Sequence, residues 1–181
     1  MRQENGDCGV KAAAGMGKTM EQYSVLLGDD EEEVTQVILQ KIDWESLGFH
    51  IIGSATNGVK ALEMAEKYQP DVVMTDIKMP YMDGLELSGR LKKEFPTIRI
   101  LLFTGFDEFE YAKEAVHLEV EEYILKPINS AELTEVFVRL KETLDQDREE
   151  KRSVEKLQNY YLESLPLLQA NFYSSLIEGR V

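Results

Sequence analysis

The 181-residue chain has a single cysteine, Cys8, so it can build neither an intrachain disulfide nor a zinc site made of thiolates. No apolar run approaches the ~18 residues that a bilayer-spanning helix needs. The first residues lack the continuous apolar core of a secretory signal. Positive charge is scarce: 20 Lys and Arg stand against 34 Asp and Glu, a formal net charge of -14. So acidic a chain repels nucleic acid and anionic lipid, and any DNA contact needs a local patch or residues outside this chain. These shortages argue against a membrane partner and a disulfide scaffold, and they fit a reducing, cytoplasmic compartment. What is present is an apolar fraction of 43%, enough for one ordinary domain core with an appendage.

Residues 1–21 show no period and many small residues, which predicts a flexible leader, with Met20 a candidate natural start. The GMGKT stretch within it resembles a phosphate-binding loop, but that motif needs glycine where Ala12 stands, and no strand precedes it. From Tyr23 onward short apolar runs alternate with helical periods. Strands are predicted over Tyr23–Leu27, His50–Ser54, Asp71–Thr75, Ile98–Phe103 and Glu121–Leu125. Helices are predicted over Glu31–Ile42, Val59–Tyr68, Gly84–Phe95, Phe106–Leu118 and Ala131–Leu144, with Ser130 as N-cap of the last. Val34, Val37, Ile38 and Ile42 should share the inner face of the first helix, and Leu62, Ala65 and Tyr68 that of the second. Strands joined by helices of this length are parallel, because the chain must cross over to return. The expected fold is a doubly wound α/β domain with a five-stranded parallel sheet, flavodoxin-like, in the order 2-1-3-4-5. Beyond Leu144 the chain is charged, then apolar at Val154, Leu157, Tyr161 and Leu165, an amphipathic or coiled-coil helix that Pro166 should kink or restart.

In that topology the carboxyl ends of the strands converge on one crevice. Asp29 and Asp30 follow the first strand, Asp76 ends the third, Thr104 the fourth, and Lys126 follows the fifth. Three carboxylates together need a counter-charge, and a hard divalent cation such as Mg²⁺ suits carboxylates, water and a phosphate oxygen. Lys126 adds a point charge and Thr104 a hydroxyl, which completes the parts for in-line phosphoryl transfer to Asp76 as nucleophile. Singly, each residue has a plainer reading. Asp30 would cap a helix, Tyr123 would be core, Met79 packing, and the glutamates at 31–33 a solvated first turn. His50 and His117 lack metal-ligand spacing. The joint placement at successive strand ends favours the functional reading.

The stretches LLGDDEEEV, VVMTDIKMPYMDGLE, ILLFTGFDEFEYAKEA and EYILKP resemble the receiver domain of two-component response regulators, over residues ~22–145. The resemblance implies that Asp29 and Asp30 hold Mg²⁺, that Asp76 is phosphorylated by a sensor histidine kinase, and that the backbone carbonyl of Lys78 completes the metal site. It also implies that Thr104 is the switch hydroxyl, Tyr123 the rotating aromatic and Lys126 the phosphoryl contact, with a Lys126–Pro127 bond that is often cis in this family. Gly28 departs from the pattern, which has an aliphatic residue before the acidic pair. IDWESLGFHIIGSATNG and DEFEYAKEA further resemble the YesN-like branch, which joins a receiver to an AraC-type helix-turn-helix domain through a helical linker. Residues 146–181 are then the start of that linker, the chain is a fragment, and DNA is met only through the missing output domain. Homodimerisation is expected through the face of residues 106–118, 121–125 and 131–144. A switch rather than a turnover enzyme is expected. A phosphohydrolase would want an acid at Lys78, a flavin protein would want a neutral loop at 28–31, and a phosphorylation-independent scaffold would keep the fold without the switch.

Overall fold

The computed structural model describes residues 22–105 and 109–177. The leader predicted over 1–21 and the start of the helix predicted at Phe106 lie outside the described residues. One compact unit ends at Thr134 and a second begins at Glu135.

In the first unit the strands are β1 (Tyr23–Gly28), β2 (Phe49–Ala55), β3 (Val72–Asp76), β4 (Arg99–Thr104) and β5 (Glu122–Leu125). All pairings are parallel and the order is β2-β1-β3-β4-β5, as expected. The inner strands are buried on both faces: every residue of β3 is buried, and of β4 all but the half-buried Arg99. This is why the sequence shows them as unbroken apolar runs rather than alternations. The helices are α1 (Glu32–Lys41), α2 (Trp44–Leu47), α3 (Gly58–Tyr68), α4 (Gly84–Glu94), α5 (Phe109–His117) and α6, which begins at Ser130.

The short helix α2 was not expected. Asp43 caps it, its carboxylate accepting from the Ser46 amide at 3.3 Å and the Ser46 hydroxyl at 2.6 Å, and this turn buries Trp44. Two predicted faces are corrected. On α1 Ile38 and Ile42 are buried but Val37 is exposed, and Thr35 takes the inner place instead. On α3 the inner residues are Ala61 and Ala65, while Tyr68 is exposed. Small residues bring α3 close to its neighbours, where a tyrosine would hold it off. Asn57 is the N-cap of α3, its side chain accepting from the Lys60 amide at 2.9 Å, and Gly58 is the first helical residue.

Gly58 packs so closely on Met82 that an added Cβ would overlap the Met82 carbonyl and lie 2.7 Å from its Cβ. Gly58→Ala is therefore expected to cost about 2 kcal/mol or more. A urea-denaturation midpoint equal to wild type would show that this approach is not tight.

At α6 the cap is Asn129 rather than Ser130: the Asn129 side chain accepts from the Ala131 amide at 2.9 Å and its carbonyl from Leu133 at 3.0 Å. The second unit continues α6 to Ile177 as one helix. Its buried side chains are Val136, Phe137, Leu140 and Leu144, and residues 149–163 are exposed. Pro166 removes the donor that would serve the Leu162 carbonyl, yet the helix neither stops nor restarts there. No described helix is long and apolar enough to cross a membrane.

Candidate functional site

The parallel topology delivers Asp29, Asp76, Thr104 and Lys126 to one edge. β1 and β3 are neighbours, Gly28 pairing with Thr75, so Asp29 and Asp76 leave the sheet side by side. β4 pairs with β5 through Thr104 and Leu125, which sets Lys126 beyond Thr104, and the Lys126 amide donates to the Thr104 carbonyl at 2.7 Å. The Lys126–Pro127 bond is cis.

Lys126 Nζ is the hub. It donates to Asp76 Oδ2 at 3.1 Å and Asp29 Oδ2 at 3.3 Å, with Glu31 Oε1 at 3.8 Å. Its ammonium also lies 5.3 Å from the centre of the buried Phe103 ring, a cation–π distance. Asp29 and Asp76 are buried, while Asp30 is exposed. Asp29 Oδ1 is held by the Glu31 amide at 2.8 Å. Asp30 does not cap α1. The cap position is Glu31, with no side-chain hydrogen bond, so the plain reading of Asp30 fails.

Asp29, Asp30, Glu31 and Asp76 can each point an oxygen into a space where these atoms lie within 4.8 Å of one another. An all-oxygen, all-carboxylate donor set of this size fits a hard divalent cation such as Mg²⁺. Glu31 is the member that sequence reasoning missed. It was assigned to a solvated helical turn, and its place directly after the acidic pair was the only signal. Lys78 lines a cleft of roughly 410 Å³ with Asp30, Met79 and Asp83, beside this cluster. Thr104 is fully buried and its hydroxyl has no hydrogen-bond partner, an orphaned polar group at the strand end. Tyr123 is half-buried on β5, paired with Leu102 in the ladder and packed against the core. Of the predicted residues, the structure joins Asp29, Asp76 and Lys126 by direct contacts and draws Asp30 into the same cluster. Thr104 is joined to Lys126 through the backbone, and Tyr123 sits further along the strand.

Burial pushes the Asp29 carboxyl up from 3.8 to about 6, aided by the Asp76 charge and opposed by the Glu31 amide and Lys126. Burial also raises Asp76, with Asp30 adding to it and Lys126 and the Ile77 amide opposing. For Lys126, burial alone would lower the ammonium, but its bonds to Asp76 and Asp29 outweigh this and the net direction is up. A carboxyl raised in the folded state contributes stability that is complete below its unfolded value and is lost as pH rises through the folded one. Without Mg²⁺, stability is therefore expected to fall between pH 4 and about 6 on account of Asp29. The check is urea denaturation at pH 5 and 7, with and without Mg²⁺. A Mg²⁺-free chain more stable at pH 7 than at pH 5 would contradict it.

A parallel sheet of this order, with an acidic cluster and a lysine at its carboxyl edge, defines the receiver class. The chain belongs to the response regulator receiver domain family, whose family model matches residues 25–138. It is 44% identical over 123 residues to the transcriptional regulatory protein YesN of Bacillus subtilis (strain 168), covering 66% of this chain and 33% of that one. It is 29% identical over 160 residues to the transcriptional regulatory protein HptR of Staphylococcus aureus (strain N315), covering 88% and 63%. The chain thus spans less than two thirds of the length of these regulators. Among solved structures it resembles the REC domain of AraT, a response regulator from Geobacillus stearothermophilus, with TM-score 0.67 and 38% identity over 70% of this chain and 98% of that one. It also resembles a two component transcriptional regulator AraC from Clostridium phytofermentans ISDg, with TM-score 0.63 and 28% identity over 71% and 99%.

Proposed function

We propose that this receiver domain takes a phosphoryl group from a sensor histidine kinase onto Asp76 and changes shape to control a DNA-binding output. The observation that carries the reading is the Asp76 carboxylate at the end of a buried strand, 3.1 Å from Lys126 and within the acidic cluster. Asp29, Asp30 and Asp76, with the Lys78 carbonyl, would hold Mg²⁺. When bound, the ion supplies two positive charges against the carboxylates and the incoming phosphoryl oxygens. An Asp76 oxygen attacks phosphorus as the bond to the histidine nitrogen breaks, and an acyl phosphate forms. Lys126, already on Asp76, follows the new negative charge outward. The orphaned Thr104 hydroxyl gains an acceptor, which removes the cost of leaving it unpaired. Its movement frees space that Tyr123 turns to fill, and the altered face favours pairing of two chains. The relatives' description as transcriptional regulators supports a DNA-binding output. The chain acts as a cytoplasmic switch, not a turnover enzyme.

Incubation with Mg²⁺ and acetyl phosphate is expected to add the mass of one phosphoryl group, and Asp76→Asn to abolish it. Equal labelling of Asp76→Asn would sink the assignment.

A further inference from the structure

Gly28 is the position at which the sequence departs from the receiver pattern, and the structure supplies its counterpart. Gly28 pairs with Thr75 across β1 and β3. A Cβ on Gly28 would lie 2.8 Å from Thr75 Oγ1 and 3.3 Å from Thr75 Cβ, closer than a side chain tolerates, with Met79 Sδ at 3.6 Å behind. The space an aliphatic side chain would fill is thus taken by the hydroxyl of Thr75. That hydroxyl is fully buried and donates to the carbonyl of Asp76 at 3.0 Å, with Met79 Sδ at 3.8 Å as a weaker neighbour. From the other side, Gly84 lies so close that a Cβ there would overlap the same Asp76 carbonyl. The Asp76–Ile77 peptide is therefore gripped on two sides, and the Ile77 amide is engaged as well, donating to Phe103 at 3.3 Å.

This peptide links the Asp76 side chain to the segment carrying the Lys78 carbonyl. A rotation of its plane would swing both together, and misplacement by fractions of an ångström at a reacting centre is costly. We propose that Thr75 is a positioning residue: its hydroxyl, admitted by the bare Gly28, fixes the peptide that aims the Asp76 carboxylate and the Lys78 carbonyl. Gly28 is on this account a partner of Thr75 rather than a loosening of the acidic loop. The inference rests on the reading of Asp76 as phosphoryl acceptor.

The test compares Thr75→Val, which keeps the shape and removes the hydroxyl, with Thr75→Ser, which keeps the hydroxyl. With acetyl phosphate, Thr75→Val is expected to label Asp76 about ten-fold more slowly, equivalent to about 1.4 kcal/mol, and to need more Mg²⁺ for half its maximal rate. Thr75→Ser should stay within about two-fold of wild type. Gly28→Ala should slow labelling likewise and lower the unfolding temperature, and adding Thr75→Ala to it should restore the temperature but not the rate. Wild-type labelling by Thr75→Val, equal slowing by Val and Ser, or full recovery of rate in the double variant would each overturn the proposal. Amide hydrogen exchange at Ile77 and Lys78 reads the same grip without any phosphodonor: faster exchange in Thr75→Val but not in Thr75→Ser is expected, and unchanged exchange overturns it. A wild type that takes no label defeats the phosphoacceptor reading alone, and the exchange data still decide on the grip.

Discussion

Asp29→Asn is expected to unfold at a higher denaturant concentration than wild type in Mg²⁺-free buffer at pH 7, while accepting phosphoryl groups poorly. Asp29 is buried, and its carboxyl is raised from 3.8 to about 6, chiefly by that burial and then by the Asp76 charge. Holding it ionised at pH 7 costs the folded state about 3 kcal/mol by this shift. Asparagine removes that cost and still accepts from the Glu31 amide through its side-chain carbonyl. It gives up the charge-assisted part of the Lys126 contact, which offsets part of that gain. The net gain is about 2 kcal/mol. The gain should shrink as pH falls through about 6 and vanish only well below 3.8, where the wild-type carboxyl is protonated in both states. If Asp29 holds Mg²⁺ as proposed, the ion should stabilise wild type more than the variant, which lacks that charged oxygen. An Asp29→Asn domain less stable than wild type at pH 7 would show that the aspartate is satisfied without a metal.

This conflict between local stability and site chemistry is also what made the site legible. A buried acidic group next to another has no structural use, so its appearance in an apolar frame stands out in a sequence. β3 and β4 were readable because burial on both faces leaves continuous apolar runs, and the parallel order followed from the crossover lengths. Short-range features were less visible. Four residues at Trp44–Leu47 are too few to show a period, and their helix rests on its two caps, Asp43 and the left-handed Gly48. Val37 and Tyr68 have apolar side chains that the three-four spacing placed inward, yet both are exposed, and α3 fully buries only the small residues Gly58, Ala61 and Ala65. Glu31 looked like helix-dipole charge, and only the folded loop turns it toward Lys126. The Gly28–Thr75 contact lies between residues 47 positions apart, and no local pattern announces it.

Lys126→Met is expected to be destabilising at pH 7 by about 2–3 kcal/mol, the opposite sign to Asp29→Asn. The lysine ammonium contacts both buried carboxylates, Asp76 at 3.1 Å and Asp29 at 3.3 Å. Removing one partner of a buried ion pair leaves the other charge unpaired and costs about 3–5 kcal/mol. The cost here falls at or just below the low end of that range, because the lysine side chain is 19% exposed and the carboxyls can take up protons. Without the ammonium, Asp29 and Asp76 rise further, so the variant should regain stability more steeply than wild type as pH falls from 7 to 5. Phosphoryl acceptance should slow at least about ten-fold, since a positioned charge on the developing phosphoryl oxygens is lost. The decisive measurement is the double variant. If the two residues act as a charge-balanced unit, Asp29→Asn should gain more in the Lys126→Met background than in wild type, by about 1 kcal/mol or more. Additive effects on stability would mean that Lys126 serves Asp76 alone, and that Asp29 is balanced by its own loop and the Glu31 amide.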